Sequence, residues 1–211
     1  MVNAYLVREE DGLTLVDTMI TGSAGAIIDA ASESGLPIVR IIATHAHSDH
    51  VGSLAALAER LPDAELITSE RESRIMAGDF GLDAGEPDTK LKGGVRKLAL
   101  DFDRTVAAGD RIASLETIAA PGHTPGQIAL LDTRDRSLIA ADAFTTLGGV
   151  ATSAGPYWRF PFAGLATWSR DVALDTARRL CDLKPSLLAA GHGPAVPEPA
   201  EAMSAAVSRS S

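Results

Sequence analysis

With 211 residues, 45% of them hydrophobic and 22% charged, the chain is long enough for one domain with a full core and too apolar for a disordered segment. Its net charge of −9 disfavours nucleic acid and anionic membranes as partners, and no run approaches the ~18 apolar residues of a membrane span. The single cysteine, Cys181, excludes an internal disulfide and a thiolate cluster, and Arg8-Glu9-Glu10-Asp11 stands where a signal peptide needs apolar residues, so a reducing cytoplasm is the expected compartment.

Two short apolar runs, residues 2–7 and 13–17, flank Glu9-Glu10-Asp11-Gly12 and predict a hairpin. Ile27, Ile28 and Ala31 have helical spacing within residues 23–34, which stop at Gly35. A buried strand is expected over 38–43. A helix over 53–61, with Leu54, Leu57 and Leu61 on one face, is ended by Pro62. A strand at 65–68 leads into a short helix at 69–77, capped by Ser69 with Glu72 three places on. Residues 78–94, rich in glycine, predict a loop. Strands follow at 111–120, 127–132 and 137–141, then the longest helix at 166–183 and a last strand at 187–190. The small, polar tail beyond Pro199 is expected to fray. No linker or repeat interrupts the chain, which predicts one domain over 1–211: a mixed α/β layered fold, its sheets face to face with helices outside.

The five histidines are concentrated where apolar strands end. His45, His47 and His50 lie with Asp49 in Thr44-His45-Ala46-His47-Ser48-Asp49-His50; His123 lies in Pro121-Gly122-His123-Thr124-Pro125-Gly126; His192 lies in Gly191-His192-Gly193. A further strand ends in Asp142. A lone histidine is usually a packed or surface residue. Three histidines and an aspartate within six residues are explained by a divalent cation, for which neutral imidazole and carboxylate are ordinary ligands.

This H-x-H-x-D-H run, with the later P-G-H-T-P-G, the lone Asp142 and G-H-G, resembles the metallo-β-lactamase superfamily from Asn3 to Gly193. The resemblance implies an αββα four-layer sandwich, two mixed sheets with helices on the outer faces. It implies two divalent metals, zinc first with iron or manganese as alternatives. His45, His47 and His123 would hold one, Asp49, His50 and His192 the other, and Asp142 would bridge both. Asp49 has a second reading, as orienter of a bridging hydroxide. Two metals lower the pKa of a shared water, and the resulting hydroxide would attack a carbonyl or phosphoryl centre. Members usually carry a strand before the position of Asn3, so a sheet edge is expected to be open to a partner such as a second copy of the chain. Met19 replaces a common glycine and would make the metal rim more apolar.

Asp142 as bridge, with no cysteine ligand, is similar to the glyoxalase II and lactonase branches. Only 19 residues follow His192, too few for a glutathione-binding helical domain. Six of the nine aromatic residues fall between 144 and 168, in a segment broken by glycine and proline. Phe144, Tyr157, Trp158 and Phe160 therefore predict a substrate wall, while Phe and Trp168 positions could equally anchor the next helix. Arg159 reads either as a solvated cation or as a partner for a carboxylate. The expected activity is hydrolysis of a small acyl substrate (lactone, ester or thioester). The alternatives are a mononuclear iron persulfide dioxygenase, a member cleaving β-lactams or phosphodiesters, and a metal-binding protein without catalysis.

Overall fold

The computed structural model describes residues 2–211, and these divide into two compact units. The first takes residues 2–79 and 94–106; the second takes 80–93 and 107–211.

In the first unit the order is β1 (Tyr5–Arg8), β2 (Leu13–Val16), α1 (Ala24–Glu33), β3 (Ile38–Ile42), α2 (Leu54–Arg60), β4 (Glu65–Ser69), α3 (Glu70–Ala77) and β5 (Arg104–Val106). The five strands form one sheet in sequence order. β1 pairs antiparallel with β2 through the expected hairpin, and the other pairings are parallel. Parallel neighbours need crossovers, which α1, α2 and α3 supply. Their apolar stripes are buried: Ala24, Ile27 and Ala31 on α1, Leu54 and Leu57 on α2, Ile75 and Met76 on α3. Ser69 caps α3 by accepting from Glu72 N at 3.1 Å, as its sequence predicts. β5 carries no sequence signal beyond three residues, of which only Val106 is buried.

The second unit contains β6 (Arg111–Ile112), β7 (Leu115–Ala119), β8 (Ile128–Asp132), β9 (Ser137–Ala141), β10 (Phe144–Thr145), β11 (Ala151–Thr152), α4 (Pro161–Ala166), α5 (Arg170–Asp182), β12 (Leu187–Ala190), β13 (Val196–Pro197) and α6 (Ala200–Ser210). Six strands pair in the order β13-β12-β9-β8-β7-β6, parallel only between β12 and β9; β10 and β11 form a separate hairpin. The strand expected over 111–120 is a hairpin, with Ile112 opposite Leu115. The helix expected over 166–183 starts at Arg170, because Thr167 to Ser169 are extended, and α4 precedes it inside the segment expected to be a loop. The tail does not fray: Met203 and Ala206, three apart, bury one face of α6.

Phe144 corrects an expectation as well. Its side chain is fully buried with Leu138, Leu180, Leu188 and Met203, so it offers no surface to a substrate. Trp168 is also core, its Nε1 donating to Thr89 O at 2.9 Å. Among the described residues no helix is long and apolar enough to cross a membrane.

Candidate metal centre

Each unit presents its own set of candidate ligand side chains where strands end. In the first, β3 runs into residues 44–52, and His45, His47 and His50 are all buried. Asp17, at the end of β2, organises this loop. Its Oδ1 accepts from Thr44 N at 2.9 Å; its Oδ2 accepts from Thr44 Oγ1 at 2.9 Å and His50 Nδ1 at 2.8 Å. Because the single Thr44 hydroxyl proton goes to a carboxylate, Thr44 Oγ1 accepts from His45 Nδ1 at 3.0 Å. His45 and His50 thus carry their proton on Nδ1 and turn an Nε2 lone pair outward, the tautomer a metal ligand needs. Glu72 of α3 clamps the same loop, accepting from Ala46 N at 2.8 Å. Gly52 closes it: a Cβ there would lie 2.4 Å from Thr21 N and 2.6 Å from Met19 O.

Asp49 is the one partly open member, its side chain 40% exposed, and its Oδ2 stands 3.9 Å from His50 Nε2. Met19 sits half-buried at the start of the turn that Gly52 N joins, with φ 57°.

In the second unit the ligand side chains come from three strand ends. His123 follows β7, Asp142 follows β9 and His192 follows β12, and all three are buried. The parallel β12 and β9 shift register by a bulge between Ala189 and Ala190, opposite Ala141 with φ 46°, and a bulge at a strand end re-aims the side chain that follows. Asp142 Oδ2 is 3.4 Å from His123 Nε2 and 3.3 Å from His192 Nε2. Thr167, between α4 and α5, fixes His123. Its Oγ1 faces Ser153 O at 2.9 Å and Ala163 O at 2.8 Å, so its one proton is committed to a carbonyl and it accepts from His123 Nδ1 at 3.0 Å. Trp168 N and Ser169 N donate to His123 O and Gly122 O, zipping the start of α5 to the histidine loop.

The donor set fits a divalent cation. Two ligands of a tetrahedral ion with bonds of ~2.0–2.1 Å stand about 3.4 Å apart, longer than the ~2.9 Å of an ordinary N–H···O bond. The carboxylate-to-Nε2 separations of 3.3, 3.4 and 3.9 Å are of that size. Cys181 is no competitor as ligand or nucleophile: burial, with Asp182 beside it, pushes its thiol up to about 11.

Of the residues expected to line a substrate wall, Phe160 lies against a candidate ligand, its ring 4.7 Å from that of His192. Trp158 is 81% exposed and stacks with the Arg159 guanidinium at 5.2 Å. Tyr157 and Arg159 both donate to Gly148 O, at 2.5 and 2.7 Å. Sequence reasoning passed over Asp17, Thr44, Glu72 and Thr167 as functional residues. Only Asp17 and Thr44 carry a signal, each being a polar residue at the end of an apolar strand.

A family profile described as the metallo-β-lactamase superfamily matches residues 1–192. The chain belongs to that superfamily. The uncharacterized protein YobT of Bacillus subtilis (strain 168) is 44% identical over 99% of this chain and 90% of its own length. The same organism's probable metallo-hydrolase YflN is 27% identical over 92% of this chain and 81% of its own. A hydroxyacylglutathione hydrolase of Rhizobium etli is 29% identical over 70% of this chain, which spans 53% of that relative. Among solved structures, TTHA1623 in a di-iron-bound form superposes with a TM-score of 0.71 at 26% identity, covering 96% of this chain and 92% of that one. The metallo-β-lactamase fold anticipated from the motifs is therefore the fold of this chain, and the chain is an enzyme of a metallo-hydrolase superfamily with histidine and aspartate groups suited to divalent metal.

Proposed function

We propose that this superfamily member is a dinuclear metal-dependent hydrolase of small acyl compounds: lactones, activated esters or thioesters. The observation that carries the reading is Asp142. One carboxylate oxygen stands at nearly equal distance from two ligand-type nitrogens, His123 Nε2 and His192 Nε2, an arrangement that supports a carboxylate shared by two metals. By the superfamily's motif pattern His45, His47 and His123 would hold one metal, Asp49, His50 and His192 the other, and Asp142 would serve both. When bound, two such cations supply a hydroxide-level nucleophile at neutral pH and polarise the substrate oxygen.

The chain's own residues hold and orient. Asp17, Thr44 and Thr167 keep three imidazoles in the ligand tautomer. Asp49, the most open carboxylate of the set, would hold the second cation or orient the hydroxide. Phe160 lies against His192 and offers an apolar ring that an acyl group would cover. Zinc suits the His and Asp donors. Iron is the second reading for the metal, supported by the di-iron-bound form of TTHA1623.

The test joins elemental analysis of chelator-free protein to a panel of lactones, aryl esters, thioesters, β-lactams and bis-aryl phosphodiesters. Two metals per chain, lost together with acyl hydrolysis on chelation, are expected. Phe160→Ala should raise KM for apolar acyl substrates with metal content unchanged. A clear preference for the phosphodiester, or one iron with oxygen uptake on a persulfide, would overturn the reading.

A further inference from the structure

The second unit contains a cavity of about 570 Å³ apart from its ligand side chains, bounded by residues 149–152, 155–159 and the last turns of α6. Two guanidinium groups line it, and both are anchored on one short stretch of backbone. Arg159 donates to Gly148 O at 2.7 Å, and Arg209 donates to Val150 O at 2.7 Å. The two carbonyls are two residues apart, and the fold brings both arginines to the same cavity.

Among the described residues neither arginine has an ion-pair partner, although the chain carries 28 acidic residues. Each spends one of five N–H donors on a carbonyl and keeps the rest for something else. Arg209 alone has an ordinary explanation, since a cation in the last turn of α6 complements the helix dipole. That does not account for Arg159 on the facing segment. The remaining lining is flat and apolar or hydroxylic: the exposed Trp158 indole, the Tyr157 ring, Thr152 and Ser210.

We propose that this cavity is a binding site for a small organic anion, a carboxylate carried on a flat apolar body. Planar carboxylate matches the guanidinium fork in a paired, charge-assisted geometry. The body lies on the indole and phenol rings, which an inorganic anion could not use. The site is independent of the metal assignment: its residues include none of the seven ligand candidates, and Arg209 lies on the last helix.

Calorimetric titration of the full, metal-loaded chain with benzoate, its neutral isostere benzamide and inorganic phosphate separates the outcomes. Saturable benzoate binding is expected, with benzamide at least about tenfold weaker, as fits the loss of a charge-assisted pair. Arg159→Gln and Arg209→Gln should each weaken benzoate by a similar factor while metal content and Tm stay unchanged. Equal binding of benzamide would overturn the anion requirement. Phosphate binding more tightly than benzoate would make it an inorganic-anion site. Benzoate affinity unchanged in both variants would place the carboxylate elsewhere in the protein.

Discussion

The two units deliver their candidate ligand side chains in opposite ways. The first holds four of them within six residues of one loop, and the precision of that loop comes from clamps: Asp17 and Thr44 on the rings, Glu72 and Gly52 on the backbone. The second gathers three from the ends of β7, β9 and β12, so its geometry is a property of sheet register. A loop set fails when a clamp is removed; a register set fails when the strand ends shift. The two designs therefore respond differently to substitution.

The largest contrast is expected between the two aspartates. Asp142, between two histidines at 3.3 and 3.4 Å, serves two metals in the proposed assignment, whereas Asp49 serves one. Asp142→Ala should lower affinity at both metal positions, by more than the roughly 10–100-fold typical of an outer-sphere partner. Asp49→Ala should weaken one position only. Chelator competition with metal counting reads both. Near-normal turnover with two metals in Asp142→Ala would end the bridging assignment.

Backbone packing provides the next contrast. Gly122, with φ +130°, lies so close to α5 that a Cβ would stand 2.3 Å from Ala173 Cα. Gly52 meets only the backbone of residues 19–21, at 2.4 to 2.6 Å. Both alanine variants should lose stability, on the order of 1–3 kcal/mol for overpacking, and Gly122→Ala should lose more because its φ is also unfavourable for alanine. Thermal melts rank them. A milder Gly122→Ala would mean that α5 yields, and that the register set is more tolerant than the loop set.

The same distinction explains what could be read from the sequence. The candidate ligand residues and the strands that carry them are legible because apolar runs ending in histidine or aspartate are local patterns. Asp17 was legible as a strand end and not as a clamp, since its partner His50 is 33 residues away and its own φ of 61° leaves no mark in the sequence. The break at Ala113-Ser114 was hidden because alanine, at φ 51°, occupies a position where glycine or asparagine would have signalled a hairpin. Phe144 and α6 were misread for a related reason. An aromatic residue next to a metal-type aspartate looks like a wall, and a small polar tail looks frayed, until long-range packing puts Phe144 and Met203 in one core.

A smaller effect is expected from the two threonines that fix ring tautomers. Thr44→Val and Thr167→Val each remove an acceptor for Nδ1, of His45 and His123 respectively, and each should cost about 10–100-fold in metal affinity, with Thr→Ser restoring it. Stability should separate them. Thr44→Val also takes a hydroxyl donor from the buried Asp17 carboxylate, whereas Thr167→Val leaves only carbonyls short of a hydrogen bond. If both variants melt alike, the loop clamp is less dependent on Thr44 than the geometry suggests.

The smallest effect concerns a carboxylate in each unit that arginine holds low. In the second unit, hydrogen bonds from Arg134 keep the Asp132 carboxyl below the usual range against the opposing effect of burial. In the first, Arg40 does the same for Asp11, whose side chain is more than half exposed. A depressed folded-state pKa contributes stability that is fully present above the unfolded value, ~3.9 for aspartate, and is lost as pH falls through the folded value. Asp132 is only 8% exposed, but Arg134 is half exposed and screened, so the contribution is at most about 1 kcal/mol. Arg134→Gln should therefore lower Tm slightly at pH 6, and the gap to the parent protein should close as pH drops below 4. Arg40→Gln should show a weaker version of the same convergence, because water already solvates Asp11. A gap for Arg134→Gln that stays constant from pH 6 to pH 3 would show that the arginine acts by packing its stem, with its charge contributing nothing measurable.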